Sequence, residues 1–220
     1  MTNLSAITTR TEPALWREKW SDFVSSKVAI FGLLLFVVIV LAALLAPWLS
    51  MQNPYDLSQL DIMDARLAPG GVAANGQVFL IGSDEQGRDL LSAILYGLRI
   101  SLGVGVVSTL IAVSLGLAVG LISAYKGGRW DTIIMRVVDI QLSFPAILIA
   151  LILLAVLGQG IGKIIAALVT VQWAYYARTV RGAALAEKNK DYIAAAEGLA
   201  LSPLRVVFKH LLPNCLPPLI

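Results

Sequence analysis

Long uncharged runs alternate with short charged stretches along this chain. Residues 28–49 form an uncharged run of 22, residues 100–125 one of 26 and residues 140–162 one of 23. At about 1.5 Å per residue the shortest of these reaches about 33 Å, enough for a hydrocarbon core of about 30 Å. Each predicts a membrane-spanning helix. Residues 164–177 make a shorter run of 14, which Lys163 and Arg178 lengthen by snorkelling. A fifth run begins near Leu211 and meets Ile220 in mid-span, so a further stretch of chain or a partner is expected there. The apolar region of a signal peptide is roughly 7–15 residues long, so the first run reads as a retained anchor.

Composition agrees with the runs. Of 220 residues, 58% are hydrophobic and 14% charged, against about half and a quarter in a soluble domain. The net charge of +3 is too small to point to nucleic acid. The single Cys215 excludes an internal disulfide. Orientation follows from the basic residues. With the N-terminus in the cytoplasm, Arg66, Arg88, Arg99 and Lys163 fall outside and the other 13 of the 17 Lys and Arg fall inside. The expected organisation is a cytoplasmic segment 1–27, a first span 28–49, an external segment 50–98 and a membrane core 99–220.

Trp16, Trp20, Phe23, Val24 and Lys27 recur at helical spacing before the first span. A short interfacial helix and a loose tail with aromatic-belt residues both meet that pattern. Pro47 and Trp48 mark the far end of the span. The external segment is rich in turn chemistry: Asn53-Pro54, Pro69-Gly70-Gly71 and Asn75-Gly76. Residues 77–81 predict one strand of a small hairpin. Ser83 with Gln86 has the form of a capping box opening the next helix.

In the second span Ser108, Ala112, Gly116, Gly120 and Ala124 are small and four apart. They line one helix face and let another backbone approach closely. A transporter core and any other helix-packed membrane protein both have this pattern. Arg136 and Asp139 lie one turn apart near the cytoplasmic end of the third span. They read as a structural ion pair in preference to a proton relay. Pro145 is expected to kink that helix.

Several motifs fail on inspection. "LGQGIGKI" (157–164) has Leu157 and Ile164 where a phosphate loop needs Gly and Ser or Thr. It reads as a tight turn between spans. Asp84, Glu85 and Asp89 do not have calcium-loop spacing. One histidine, His210, and one cysteine cannot build a zinc set. No catalytic centre, cofactor site or metal site is visible.

Residues 178–209 cannot be a span, because they carry nine charges in 32 positions. Asp191 can cap a helix through the small-residue stretch to Leu201. Ser202-Pro203 signals a restart, Ser as cap and Pro at the first helical position. A second helix is expected to run from Pro203 toward Leu212 and to meet Pro213. A DNA-binding helix-turn-helix is superficially similar, but 187–210 has a net charge of only about +1 and is tethered between spans. A solvated loop and a docking helix for a cytoplasmic partner remain. Ala194, Ala195, Ala196, Gly198 and Ala200 offer so little bulk that a partner groove can accept the backbone, with Ala195 and Ala196 expected inside it.

The pattern Tyr192-Ile193-x-Ala195-Ala196-x-x-Leu199-x-x-Ser202-x-Leu204-Arg205, followed by His210-x-Leu212-Pro213-Asn214, resembles the coupling-helix motif of permease subunits of ATP-binding-cassette (ABC) importers. "GSDEQGRDLLSAILYGLRISL" (82–102), "YKGGRWDTIIMRVVDI" and "FPAILIALILL" are similar to signatures of the dipeptide, oligopeptide and nickel branch. Two positions depart from the family pattern: Ala194 stands where Glu is usual, and Ala200 where Gly is usual, with Glu197 and Gly198 close by. The resemblance implies an all-α polytopic membrane protein, a MetI-like permease helical bundle with a cytoplasmic coupling helix. It implies docking through Tyr192, Ala194, Ala195, Ala196, Glu197, Gly198, Leu199, Ala200, Ser202 and Pro203. The implied partners are a second, homologous permease, two cytoplasmic ABC ATPases, an external substrate-binding protein and membrane lipid, in a bacterial or archaeal inner membrane. ATP chemistry would belong to the partners, and peptide or nickel would be the cargo. The family's usual length implies a further span beyond Ile220. The competing class is a stand-alone secondary transporter or channel, which would favour ions or broken helices at mid-membrane.

Overall fold

The computed structural model describes residues 20–216, the side chains of Glu197 and Leu204 excepted. Expectations for residues 1–19, Trp16 included, for residues 217–220 and for the side chain of Glu197 lie outside the described residues. The chain divides into two compact units, Met1–Leu102 and Gly103–Ile220.

In the first unit, residues 20–25 are helical and the rings of Trp20 and Phe23 stack with centroids 5.8 Å apart. Ser26 ends this turn and caps the next helix, its Oγ accepting from the Ala29 N–H at 3.4 Å. That helix, α1 (Lys27–Leu44), presents nearly all its apolar side chains outward, as a helix facing lipid must. It stops short of the uncharged run because Pro47 cannot continue its hydrogen bonding. Pro47 sits instead in the first turn of a short α2 (Ala46–Leu49).

Residues 50–89 have no long helix. Two 3-10 turns, Leu57–Gln59 and Ile62–Asp64, are each opened by an aspartate. Asp56 accepts from the Ser58 N–H at 3.1 Å, and Asp61 from the Met63 N–H at 2.9 Å. Strands β1 (Gly71–Val72) and β2 (Val78–Phe79) pair antiparallel around the Asn75-Gly76 tip, with Phe79 fully buried. Gly87 has φ +75°, and a Cβ there would stand 2.0 Å from the Asp61 carbonyl oxygen, so only glycine fits.

The next helix, α3 (Leu90–Lys126), opens differently from the sequence expectation. Ser83 does not cap it. Its buried hydroxyl accepts from the Leu67 N–H at 2.8 Å and donates to the Asp64 carbonyl. Asp89 is the cap, accepting from the Ser92 N–H at 2.9 Å and the Ser92 hydroxyl at 2.5 Å. The capping box was misplaced because Ser83 is drawn into the loop's own hydrogen bonding, six residues early.

At 37 residues α3 is about 55 Å long, and with α1 it is long and apolar enough to cross a membrane. Its part beyond Leu102 belongs to the second unit. There α4 (Gly128–Leu142) and α5 (Ala146–Leu157) follow, and they meet at 84°. The kink expected at Pro145 is therefore a corner. Residues 140–162 are not one straight span, and α5 alone is only 12 residues. Pro145 has no N–H to donate and disfavours helical backbone at Phe144. Residues 158–160 turn the chain into α6 (Ile161–Lys188), a single helix that contains the whole fourth run.

The small residues of α3 meet α6 closely. A Cβ on Gly116 would lie 2.4 Å from the Tyr176 Cβ, and one on Gly120 would lie 2.6 Å from the Ala177 carbonyl oxygen. Ser108, Ala112 and Ala124 are buried too. In lipid the hydrophobic effect contributes little between helices, so backbone proximity and dispersion hold this contact. The unit's core continues through Leu121, Val180 and Ala184 to residues beyond Lys188.

Candidate functional site

After Lys188 the chain forms an elbow. Helix α7 (Asp191–Gly198) is followed by α8 (Pro203–Arg205), a π-helical stretch Val206–Leu211 and α9 (Leu212–Cys215). The second arm, expected to run from Pro203 toward Leu212 and to meet Pro213, continues through that proline. A proline inside an α-helix clashes with the carbonyl four residues back, and widening the preceding turn to π geometry lets the helix pass it.

The two faces of α7 differ. Ile193 and Ala196 are buried, with 1% and 5% of their surface exposed, against Leu121, Val180, Ala184, Val206, Leu211 and Cys215. Ala194, Ala195 and Gly198 are exposed, and Leu199 stands out at 75% exposed. Ala196 thus belongs to the chain's own core and is not open to a partner groove. The helical period explains this: 193 and 196 share one face, while 194, 195, 198 and 199 lie across it. The Tyr192 side chain is exposed, and its hydroxyl alone is tied to its own chain.

The end of α7 is a left-handed turn. Ala200 has φ +54°, and the Leu201 N–H donates to the Ala196 carbonyl at 3.3 Å. This is the Schellman pattern, in which glycine is usual at the left-handed position. Leu201 packs back on the core, as the motif's hydrophobic contact requires. Ser202 has the extended backbone of an N-cap and Pro203 takes the first turn, although the Ser202 hydroxyl makes no capping bond. Ser202, Pro203 and Ala200 are all exposed.

Three polar clasps tie the elbow and its neighbours together. Lys188 donates from Nζ to the Tyr125 carbonyl at 2.9 Å, satisfying an orphan acceptor at the negative end of α3. Arg181 holds Asp131 of α4 with two bonds, at 2.5 and 2.6 Å, and the Ser123 hydroxyl also donates to Asp131. As part of the same α4–α6 clasp, Asp139 pairs with Arg178 of α6. The expected Arg136–Asp139 pair is corrected by this contact: an Arg preceding its acid on one helix is the weaker arrangement, and α6 offers an Arg directly opposite. The third clasp joins Glu187, Tyr192 and Asn214. The Tyr192 hydroxyl donates to Glu187 Oε2 at 2.6 Å and accepts from Asn214 Nδ2 at 3.1 Å, while Lys190 bonds Glu187 Oε1 at 2.6 Å. Lys190 first, then Tyr192, hold the Glu187 carboxyl below its ordinary range. Burial, then Glu187, push the Tyr192 hydroxyl up.

Sequence reasoning missed these clasps because each joins at least two residues that lie more than twenty positions apart along the chain. One signal was present. Asp131 and Asp139 are eight apart, and Arg178 and Arg181 three apart, so each pair shares a helix face and the two match in antiparallel order.

Comparison with known proteins agrees with this architecture. Residues 116–220 match the family described as binding-protein-dependent transport system inner membrane component. Residues 14–69 match the N-terminal TM domain of oligopeptide transport permease C. The chain is 39% identical over 209 residues to the di/tripeptide transport system permease protein DppC of Pseudomonas aeruginosa, covering 94% of this chain and 68% of that protein. The dipeptide transport system permease proteins DppC of Haemophilus influenzae and Escherichia coli are 35% and 40% identical, each covering 93% of this chain and 68% and 67% of their own lengths. A polytopic helical core, a close-packed small-residue contact, an elbow ending in a left-handed turn and these similarities lead to one assignment: the chain belongs to the inner-membrane permeases of binding-protein-dependent transport systems, the permease family of ABC importers.

Proposed function

We propose that this chain forms half of a translocation pathway for di- or oligopeptides and is driven by cytoplasmic ATPases that grip α7. Peptide is the favoured cargo over nickel because the similar permeases from three organisms carry dipeptide or di/tripeptide in their names. A second, homologous permease completes the pathway, and an external binding protein delivers the cargo. The N-terminus is cytoplasmic, which puts the elbow on the ATPase side. ATP hydrolysis occurs on the partner subunits.

One observation carries this reading: α7 is fixed by its inner face and bare on its outer face. Ile193 and Ala196 anchor it in the core, while Ala194, Ala195 and Gly198 leave room for a groove and Leu199 supplies an anchor to fill one. A rigid body approaching from that side moves α7, and α7 moves α6 and the arm after Pro203 with it. ATP binding closes the ATPase dimer, draws the two elbows together and switches the pathway between inward- and outward-facing states. Hydrolysis resets them. Relative to the first expectation, the docking face loses the buried Ala196 and centres on Ala195 and Leu199.

The test is ATPase activity of the reconstituted complex with and without binding protein and peptide. Stimulation by peptide in the wild type, lost in Ala195→Arg, is the expected result. Full stimulation in Ala195→Arg, or peptide movement without ATPase subunits, would overturn the reading.

A further inference from the structure

The permease reading says where force enters but not what keeps α7 in step with the helices it must move. Packing alone is a weak candidate, because α7 is short and, among the described residues, its inner face holds Ile193 and Ala196 alone. A helix of eight residues with one such face can rock about its axis. The Glu187–Tyr192–Asn214 clasp acts where packing does not. Glu187 is in the last turn of α6, Tyr192 in the first turn of α7, and Asn214 in α9 at the far end of the elbow. One phenolic oxygen therefore bonds both arms between which α7 is slung, donating to one at 2.6 Å and accepting from the other at 3.1 Å.

Both outer members are themselves held. Lys190 bonds the second oxygen of Glu187, and Asn214 Nδ2 also donates to the His210 carbonyl at 2.8 Å, one turn back on its own arm. That second bond ties Asn214 to the π-helical stretch, so the clasp reaches the widened turn that carries the chain past Pro213. A phenylalanine at 192 would keep the ring and lose both bonds.

From this geometry we infer that Tyr192 is a positioning residue for energy coupling: its hydroxyl locks the coupling helix to both flanking arms so that ATPase motion reaches the pathway without slippage. The inference rests on the permease reading of the elbow. Tyr192 does not touch cargo or nucleotide. It acts through Glu187 and Asn214, and its loss allows α7 to move while the membrane helices lag. The signature is therefore a fall in transport per ATP hydrolysed, not a fall in both together.

The test compares wild type, Tyr192→Phe, Asn214→Leu and the double variant in the complete complex with its ATPases, second permease and binding protein in liposomes. Dipeptide uptake and ATP hydrolysis are measured on the same vesicles. Tyr192→Phe is expected to lower peptide moved per ATP by about tenfold, the scale of losing one hydrogen bond to a charged group. Asn214→Leu should lower it less, and the double variant should be no worse than Tyr192→Phe, because the clasp works as a unit. Spin labels at Asp191 and Tyr175, both exposed, should give a broader distance distribution in Tyr192→Phe than in wild type. If Tyr192→Phe fails to assemble, the ratio and label width in Asn214→Leu decide the same question. A wild-type ratio in the variants, or equal fractional falls in uptake and hydrolysis with an unchanged label distribution, overturns the clasp alone. Absence of peptide-stimulated hydrolysis in the wild type overturns the permease reading, and the clasp with it.

Discussion

Residues 50–89 and the elbow from Glu187 to Cys215 are both stretches that cannot cross a membrane, yet they are held in different ways. In the first, short side chains bond the backbone a few residues away: Asp56 to Ser58, Asp61 to Met63, Asp84 to Gln86. Its buried side chains are few, Phe79 foremost. In the elbow, α7 and the second arm bury Ile193, Ala196, Val206, Leu211 and Cys215 against α3 and α6, and the polar clasps join residues from different helices. The first stretch is held within itself, by turns of this kind and by a few longer bonds such as those of Ser83 to residues 64 and 67. The elbow is a piece of the helical core, so a disturbance in α3 or α6 must reach it, while one at Asp56 or Asp61 need not be felt beyond its own turn.

The largest effect is expected where α3 and α6 touch. Leucine at both Gly116 and Gly120 drives side chains into the Tyr176 Cβ and the Ala177 backbone. Overpacking of this kind should cost about 3 kcal/mol or more and abolish a monodisperse, assembled permease in detergent. A normal elution profile and thermal midpoint would show that the contact is loose. Next come the interhelical ion pairs, which should differ from each other. Asp131→Ala leaves Arg181 unpaired in a half-buried setting and should cost about 2 kcal/mol. Asp139→Ala breaks a pair more than half exposed on both sides and should cost about 1 kcal/mol or less. Thermal midpoints of the two variants measure the difference, and equal shifts would contradict it. At the end of α7, Ala200→Gly should stabilise by about 1 kcal/mol by relieving a left-handed alanine. A lowered midpoint would show that the turn is not strained.

The smallest effect is that of acid. The Ser58 hydroxyl, then its N–H, hold the Asp56 carboxyl below its ordinary range, as Lys190 and Tyr192 hold that of Glu187. A depressed carboxyl contributes stability that is present above its unfolded value and lost as pH falls through its folded value. Amide protection at Ser58 and at Ile193, whose N–H donates to the Lys190 carbonyl at 3.0 Å, should therefore decline only below about pH 4. The loss at Ile193 should spread along α7 and the loss at Ser58 should stay within its turn. Equal spreading would erase the distinction between the two regions.

Much of this was readable from residue patterns, and the failures share a cause. Uncharged runs locate α1 and α3, the Asn75-Gly76 pair locates the hairpin tip, and Ser202-Pro203 locates the restart after α7, because each depends on residues next to one another. The four-residue spacing of Gly116 and Gly120 gives the face of α3 but not its partner. Ser83 was misjudged as a cap because its hydroxyl is engaged by residues 64 and 67, nearly twenty positions away. Asp139 was given the wrong arginine because Arg178 approaches from another helix. Ala196 was placed on the docking face because composition alone does not say which side of a small-residue helix turns inward. That takes the positions of Val180, Ala184 and Val206. The clasp through Tyr192 needs three elements brought together, and no local spacing announces it.

The central claim is that the outer face of α7 is where the ATPase holds this permease. Single cysteines at Ala195 and Ala196, on a background with Cys215 replaced by serine, test it most directly by cross-linking in the assembled complex. The account predicts that Cys at position 195 joins an ATPase subunit in high yield while Cys at 196 stays unreactive inside the permease core. Cross-linking at 196 as efficient as at 195, or solvent labelling at 195 that is undiminished when the ATPases are bound, would contradict it.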